Sequence, residues 1–335
     1  MRSRLILLVV SLAAAAEACA ALDPVIAEKV SASIVKVRVV NESRRVATGS
    51  AVSVGGGILV TSCHGLRQSR AIQVLVPGLQ PTVTKVVKDV ERDLCLLAIT
   101  ATIPALEFAS ESNMLKAGDS VAAFGFTGPD VHFTEGTVKA LHRYEGGQVI
   151  QAGAVFSSGE SGGALVDREG RLVGILTFYA PGREDSFFAV PVGWVRDLIR
   201  REAAGAAQAA QPELSFWERA DRERPAFLQA AAREYAHDWH GLNEVASQWA
   251  RQEPANPQAW IALGKAHHHS RRAAAAIEAL EQALRLDPQQ PAAWYFLGAT
   301  YLQINKLEGV QTALERLDPL DPKAARALRT GVPME

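Results

Sequence analysis

Three side chains with complementary proton chemistry stand in separate short segments of the chain. His64 closes the run Leu59-Val60-Thr61-Ser62-Cys63-His64, and Asp93 opens Asp93-Leu94-Cys95-Leu96-Leu97. Ser161 lies within Gly159-Glu160-Ser161-Gly162-Gly163-Ala164-Leu165. A serine hydroxyl is a weak nucleophile at neutral pH until a base within hydrogen-bond reach takes its proton. His64 is suited to take that proton and return it to a leaving amine. A buried Asp93 would fix the imidazole tautomer and stabilise the imidazolium. Gly159 lets the backbone turn so that its N–H and that of Ser161 face a developing oxyanion. One such donor is worth roughly 2.7–4 kcal/mol of transition-state stabilisation. Gly162 and Gly163 permit close backbone approach beside the hydroxyl. Each segment alone is commonplace; His, Asp and Ser together, in that order, read as a nucleophilic site.

The elements that must position these residues are short strands. From about residue 30 to 192 runs rich in Val, Ile and Leu recur at Ser33–Val40, Ile72–Val76, Thr82–Val87, Leu94–Ile99 and Leu172–Phe178. Glycine pairs and triplets punctuate them, as at Gly55-Gly56-Gly57 and Gly146-Gly147. Many short strands without intervening helical periodicity predict an all-β barrel or sandwich. Pro191 ends the last strand, and Trp194, Val195, Leu198 and Ile199 take helical spacing after it.

The second half has another texture. Ala203–Pro212 is an Ala/Gln stretch that reads as a linker. From Leu214 to about Arg329 the pattern is helical and repeats itself. Trp260 recurs as Trp294, Leu263-Gly264 as Leu297-Gly298, and Asp287-Pro288 as Asp321-Pro322, each 34 residues on. That period with W-x-x-L-G resembles the tetratricopeptide repeat, whose units need roughly three copies to bury a continuous core. Arg224–Pro254 is expected to supply a degenerate first unit. The domain reading is therefore a signal peptide over 1–20, a β domain over 21–202, a linker over 203–213 and a helical domain over 214–335.

The signal peptide rests on Arg2 and Arg4, an apolar Leu5–Leu12 core and the small residues Ala18-Cys19-Ala20. It predicts export to a periplasm or to the exterior, with no transmembrane segment after cleavage. The 335 residues carry 35 basic and 36 acidic side chains, a net charge of -1. That balance gives no electrostatic case for nucleic acid as a partner. No CxxC pair occurs among three cysteines, so a thiolate zinc site is not expected. His267-His268-His269 point about 100° apart on a helix and cannot easily share one ion. No metal and no cofactor is expected. Asp89, which precedes Asp93 and could be the triad acid, lacks an apolar strand directly after it and reads as a solvated loop charge.

Residues 30–192 resemble the trypsin-like serine endopeptidases of the chymotrypsin fold, within the HtrA/Deg group. The resemblance rests on Gly159-Glu160-Ser161-Gly162-Gly163-Ala164-Leu165-Val166, Gly170-x-Leu172-Val173-Gly174-Ile175 and Phe188-Ala189-Val190-Pro191. Gly49-Ser50-Ala51 with Gly57-x-Leu59-Val60-Thr61 extends it. It implies two six-stranded β-barrels with His64, Asp93 and Ser161 in the cleft between them and Gly159 and Ser161 as oxyanion donors. Glu160 and Ser62-Cys63 depart from the residues usual in that group. By the same resemblance Val155 lies at the base of the primary specificity pocket, and Ser186, Phe187 and Phe188 lie along its wall. A valine there offers no partner to Arg or Lys, so cleavage after small apolar residues is expected. If the triad forms, Cys63 and Cys95 flank it and should be close, with two buried thiols favoured over a bond. The whole reads as an exported serine endopeptidase acting on proteins or peptides, with repeats that bind a protein partner. The alternative is a protease-like scaffold with little or no activity whose repeats carry the function.

Overall fold

The computed structural model describes residues 21–110, 115–179, 187–205 and 212–331. The expected signal peptide and most of the expected linker lie outside them, as does Ser186. Helix α1 (Pro24–Ser31) opens the described chain, with Asp23 capping it by accepting from the Val25 N–H. Six strands follow: β1 (Ile34–Asn41), β2 (Val46–Gly55), β3 (Ile58–Ser62), β4 (Ser69–Leu75), β5 (Val83–Asp89) and β6 (Leu94–Ile99). They pair in the order β4-β1-β2-β3-β6-β5. Alternation decides their facing: Val35, Val37 and Val39 of β1 are buried while Arg38 between them is exposed.

A second set closes into a barrel: β7 (Ser120–Thr127), β8 (Asp130–Tyr144), β9 (Gly147–Ala152), β10 (Ala164–Asp167), β11 (Leu172–Tyr179) and β12 (Phe187–Pro191). Its order is β10-β11-β12-β9-β8-β7. Helix α2 (Val192–Ala203) then lies on the barrel through Trp194, Val195 and Leu198. Closure matters for the site, because β10 and β11 carry the turn and the strand on either side of Ser161.

α-Helical structure resumes at Ala226 rather than at Leu214. The intervening residues are drawn onto the β domain: Phe216 is fully buried there and its N–H donates to the Glu91 carbonyl. Then come α3 (Ala226–Tyr235), α4 (Trp239–Gln252), α5 (Pro257–His269), α6 (Ala273–Leu286), α7 (Pro291–Gln303), α8 (Leu307–Leu317) and α9 (Pro322–Thr330). The 34-residue period appears as a repeated bond. Trp260 Nε1 donates to the Pro254 carbonyl and Trp294 Nε1 to that of Pro288, each at 2.9 Å. A β-carbon on Gly264 would come within 2.5 Å of Leu280, and one on Gly298 within 2.5 Å of Leu328. Those glycines let paired helices close on each other. Of the three consecutive histidines it is His268 that is buried, against Thr300 and Gln303.

The two halves share one core. Val190, Trp194, Phe216, Phe227, Trp249 and Ala262 belong to a single apolar cluster that runs from the barrel into α3, α4 and α5. His142 of β8 sits in that seam, stacked on Phe227 at 4.4 Å and bonded through Nε2 to Gln151 at 2.9 Å. Burial pushes its pKa down to about 4. A histidine held neutral in the fold but free to charge when unfolded weakens the fold as pH drops below 6.5, until about 4. His142 should therefore contribute a fall in stability of about 3 kcal/mol across that window in chemical denaturation, and buried His268, also pushed down to about 4, adds to it. His142→Gln should make the dependence shallower by the His142 share, and an unchanged slope would contradict the assignment.

Candidate active site

His64 begins a short 3-10 turn directly after β3, and Asp93 sits in the tight β5–β6 connection. β3 and β6 pair with Ser62 opposite Leu94, so the two chain ends that carry base and acid are adjacent. Asp93 is fully buried and takes a left-handed backbone conformation (φ 56), which Asp tolerates better than most residues. Its N–H donates to Val90 O and its carbonyl accepts from Cys63 N, which fixes the turn. Oδ1 accepts the His64 backbone N–H at 2.7 Å, and Oδ2 lies 2.7 Å from His64 Nδ1. The Thr177 hydroxyl donates to the same Oδ2 from β11.

This geometry sets the imidazole. A buried carboxylate on Nδ1 holds the proton there and leaves Nε2 as the basic nitrogen. Burial pulls the His64 pKa down, but Asp93, by charge and by hydrogen bond, and Glu218 more weakly outweigh it. Arg67 opposes them, and the net displacement is above 6.5.

Ser161 follows a 3-10 turn, Ser158–Glu160, between β9 and β10. Glu160 closes a capping box with Ser157 beneath the turn, and it fits because Gly125 of β7 leaves room for its side chain. The departure at Glu160 thus has a structural use. Gly162 is left-handed (φ 86), and a β-carbon there would overlap the Ser50 carbonyl and the Thr61 hydroxyl. Ser50 ties the turn down: its N–H donates to Ser161 O at 2.9 Å and its hydroxyl to Gly159 O at 3.0 Å. The Ser161 hydroxyl donates to Thr177 O at 3.2 Å. Thr177 therefore touches both ends of the constellation, through its carbonyl and its hydroxyl. The Ser161 N–H lies 3.4 Å from Ser158 O, a long contact that occupies one of the two expected oxyanion donors.

Three comparisons with known proteins bear on this arrangement. Residues 47–175 match the family model described as the trypsin-like peptidase domain, and 242–291 and 268–330 match tetratricopeptide-repeat models. The chain joins a trypsin-like peptidase domain to tetratricopeptide repeats. The peptidase domain is 34% identical over 155 residues to the probable periplasmic serine endoprotease DegP-like of Buchnera aphidicola subsp. Baizongia pistaciae, covering 42% of this chain and 33% of that protein. It is 34% identical over 173 residues to the periplasmic serine endoprotease DegP of Escherichia coli K12, covering 47% and 36%. The chain thus spans about a third of the length of these relatives. Among solved structures, the Rv3671c protease from M. tuberculosis in its active form superposes with a TM-score of 0.50 at 22% identity, over 58% of this chain and 92% of that one, a likeness of fold.

The remaining sequence expectations for the peptidase domain fare unevenly. Val155 is exposed (46%), in the segment between β9 and the Ser158–Glu160 turn. Phe187 packs on Phe156, next to Val155, with ring centroids 5.2 Å apart. Phe188 points to the other face of β12 and stacks on Phe178 in the shared core, so one slot cannot take its walls from both rings. Asp89 is not a solvated charge: it is 6% exposed and paired with Arg201 of α2. Thr177 carries no motif in the sequence, being a lone hydroxyl on a strand, and Ser50 is legible there only as part of Gly49-Ser50-Ala51. Trp217, which donates to Asp93, falls in the stretch that the sequence assigns to the helical domain, so no motif ties it to the site.

Cys63 and Cys95 form a disulfide, which corrects the preference for two thiols. Pairing of Thr61 with Cys95 brings the two Cα atoms to 5.0 Å, within ordinary disulfide reach. The bond closes a separation of 32 residues across the strands carrying base and acid. Replacing both cysteines by alanine should lower the unfolding free energy by about 3 kcal/mol in denaturant titrations. A loss well under 1 kcal/mol would mean that the bond constrains little.

Proposed function

We propose that the chain is an exported serine endopeptidase that hydrolyses polypeptides through a Ser161 acyl-enzyme, and that its repeats hold a protein partner or the substrate chain. The observation that carries this reading is the 2.7 Å contact of buried Asp93 with His64 Nδ1, with Ser161 tied to the same carboxylate through Thr177. In the reaction the Ser161 hydroxyl leaves Thr177 O for His64 Nε2 and attacks the scissile carbonyl. His64 takes the proton and returns it to the leaving amine; water then repeats the sequence on the acyl-enzyme. The Ser158–Gly159 peptide turns so that the N–H groups of Gly159 and Ser161 receive the oxyanion. No metal or other cofactor enters these steps.

A second reading, a scaffold with little activity, has that closed Ser161 N–H contact in its favour. Substrate profiling separates the two. Incubated with an unfolded polypeptide, the full chain should cut after Ala or Val, because Val155 offers no charge to a Lys or Arg side chain. Preference among apolar residues should be loose, since such pockets separate close homologues by only about 1–3 kcal/mol. Dominant cleavage after Arg or Lys would overturn the pocket, and no cleavage at all would favour the scaffold. His64 must be neutral to act as base, so kcat/KM should fall as pH drops through its raised pKa, with the midpoint above 6.5. A midpoint below 6.5 would contradict the carboxylate contact.

A further inference from the structure

Beyond β12 and α2 the chain returns to the peptidase domain before the first repeat helix. Trp217 Nε1 donates to Asp93 Oδ2 at 3.1 Å. Its ring meets the His64 imidazole edge-on, with centroids 5.2 Å apart at 90°, and stacks flat on Phe178 at 4.9 Å. Its neighbours anchor the segment on both sides of the triad. Glu218 pairs with Arg67, whose N–H caps the His64 turn, and accepts from Ser215 Oγ at 2.6 Å. Arg219 pairs with Glu91, two residues before Asp93. Phe216, fully buried, lies against Tyr144 and Phe178 and reaches Phe227 of α3.

We propose that Trp217 is a positioning residue of the catalytic triad, supplied by the segment that leads into the repeats. The inference rests on the serine-endopeptidase reading and adds a part to its machinery.

The physical case is the accounting of a buried charge. A carboxylate taken out of water is costly unless hydrogen-bond donors face its oxygens. Oδ1 of Asp93 accepts from His64 N, and Oδ2 accepts from His64 Nδ1, Thr177 Oγ1 and the Trp217 indole, so the indole adds a further donor to the oxygen that faces the imidazole. The same ring covers one edge of the His64–Asp93 contact and keeps water from it, which strengthens the attraction between them. An indole fits the place: a flat apolar face for Phe178 and one N–H for the carboxylate. Because Phe216 joins the same stack to α3, the first repeat helix and the triad lie on one packed path.

The test uses the full chain with Trp217→Phe, which keeps a ring on Phe178 and removes the N–H. Trp239→Phe, far from the triad, serves as the control. Loss of one hydrogen bond to a charged group should lower kcat about tenfold with KM unchanged. Without the donor, Asp93 keeps more charge for the imidazolium, so the His64 pKa should rise and the acid limb of kcat/KM should move to higher pH. Glu218→Gln should move the limb the other way, since Glu218 raises that pKa and Arg67, its partner, lowers it. Titration of the His64 ring by NMR reads the same shift without turnover. Trp217→Phe with unchanged kcat and an unmoved His64 titration overturns the proposal. So does a faster enzyme, which would make the segment a plug, or a loss of activity that tracks thermal stability with the pH limb unmoved. Failure of the wild-type chain to cleave any polypeptide would sink the endopeptidase reading alone, and the NMR titration would still decide the role of Trp217.

Discussion

Ser161→Ala should lower peptide hydrolysis by roughly six orders of magnitude, to the level set by binding and any oxyanion donors alone. The fold should survive the change. The hydroxyl makes one neutral hydrogen bond, to Thr177 O, and such a bond is worth about 1 kcal/mol. The backbone bonds that hold the turn, Ser50 N–H to Ser161 O and Gly162 N–H to Leu176 O, involve no side-chain atom of Ser161. Steady-state assays paired with thermal melts check both halves. Retained turnover, or a collapsed melting temperature, would place the chemistry or the role of Ser161 elsewhere. His64→Ala should be nearly as severe, because members of such a unit do not act additively.

Asp93→Asn should cost about 10⁴ in kcat. Asn is nearly isosteric, so the reason is hydrogen-bond polarity. Every group aimed at the carboxylate is a donor: His64 N on Oδ1, and Thr177 Oγ1, Trp217 Nε1 and the protonated His64 Nδ1 on Oδ2. An amide must turn its NH₂ toward one set. Facing Oδ2's partners, it forces His64 to carry its proton on Nε2, where it can no longer accept from Ser161. Facing Oδ1's partner, it opposes the His64 backbone N–H and loosens the turn that holds the ring. Single-turnover kinetics with the chain shown to be folded would measure this. A drop of less than tenfold would mean that Asp93 does not set the tautomer.

Much of this site was legible in the sequence because its residues sit at strand ends with local signatures. Gly162 and Gly163 announce a backbone approach that side chains forbid, and the contacts beside Ser50 and Phe124 bear that out. The 34-residue spacing of Trp260 and Trp294 exposed the repeats because each indole makes the same local bond to a preceding proline carbonyl. What stayed hidden depends on contacts distant in sequence. Thr177 is 84 residues from the carboxylate it serves and Trp217 is 124. Neither carries a pattern that a single chain displays. The burial of Asp89 is hidden for the same reason: its partner Arg201 lies 112 residues on, in a helix that the strand pattern does not place. The disulfide was open in sequence because only the β3–β6 register determines whether Cys63 and Cys95 meet.

The central claim is that Ser161 is a nucleophile activated by His64 and Asp93, and covalent labelling tests it most directly. The folded full-length chain, held above the His64 pKa, is treated with a fluorophosphonate and the adduct is mapped by mass spectrometry. The account predicts one adduct per chain, on Ser161, absent in Ser161→Ala and slowed in His64→Ala. No adduct on the folded chain, or an adduct on a different serine, would contradict it.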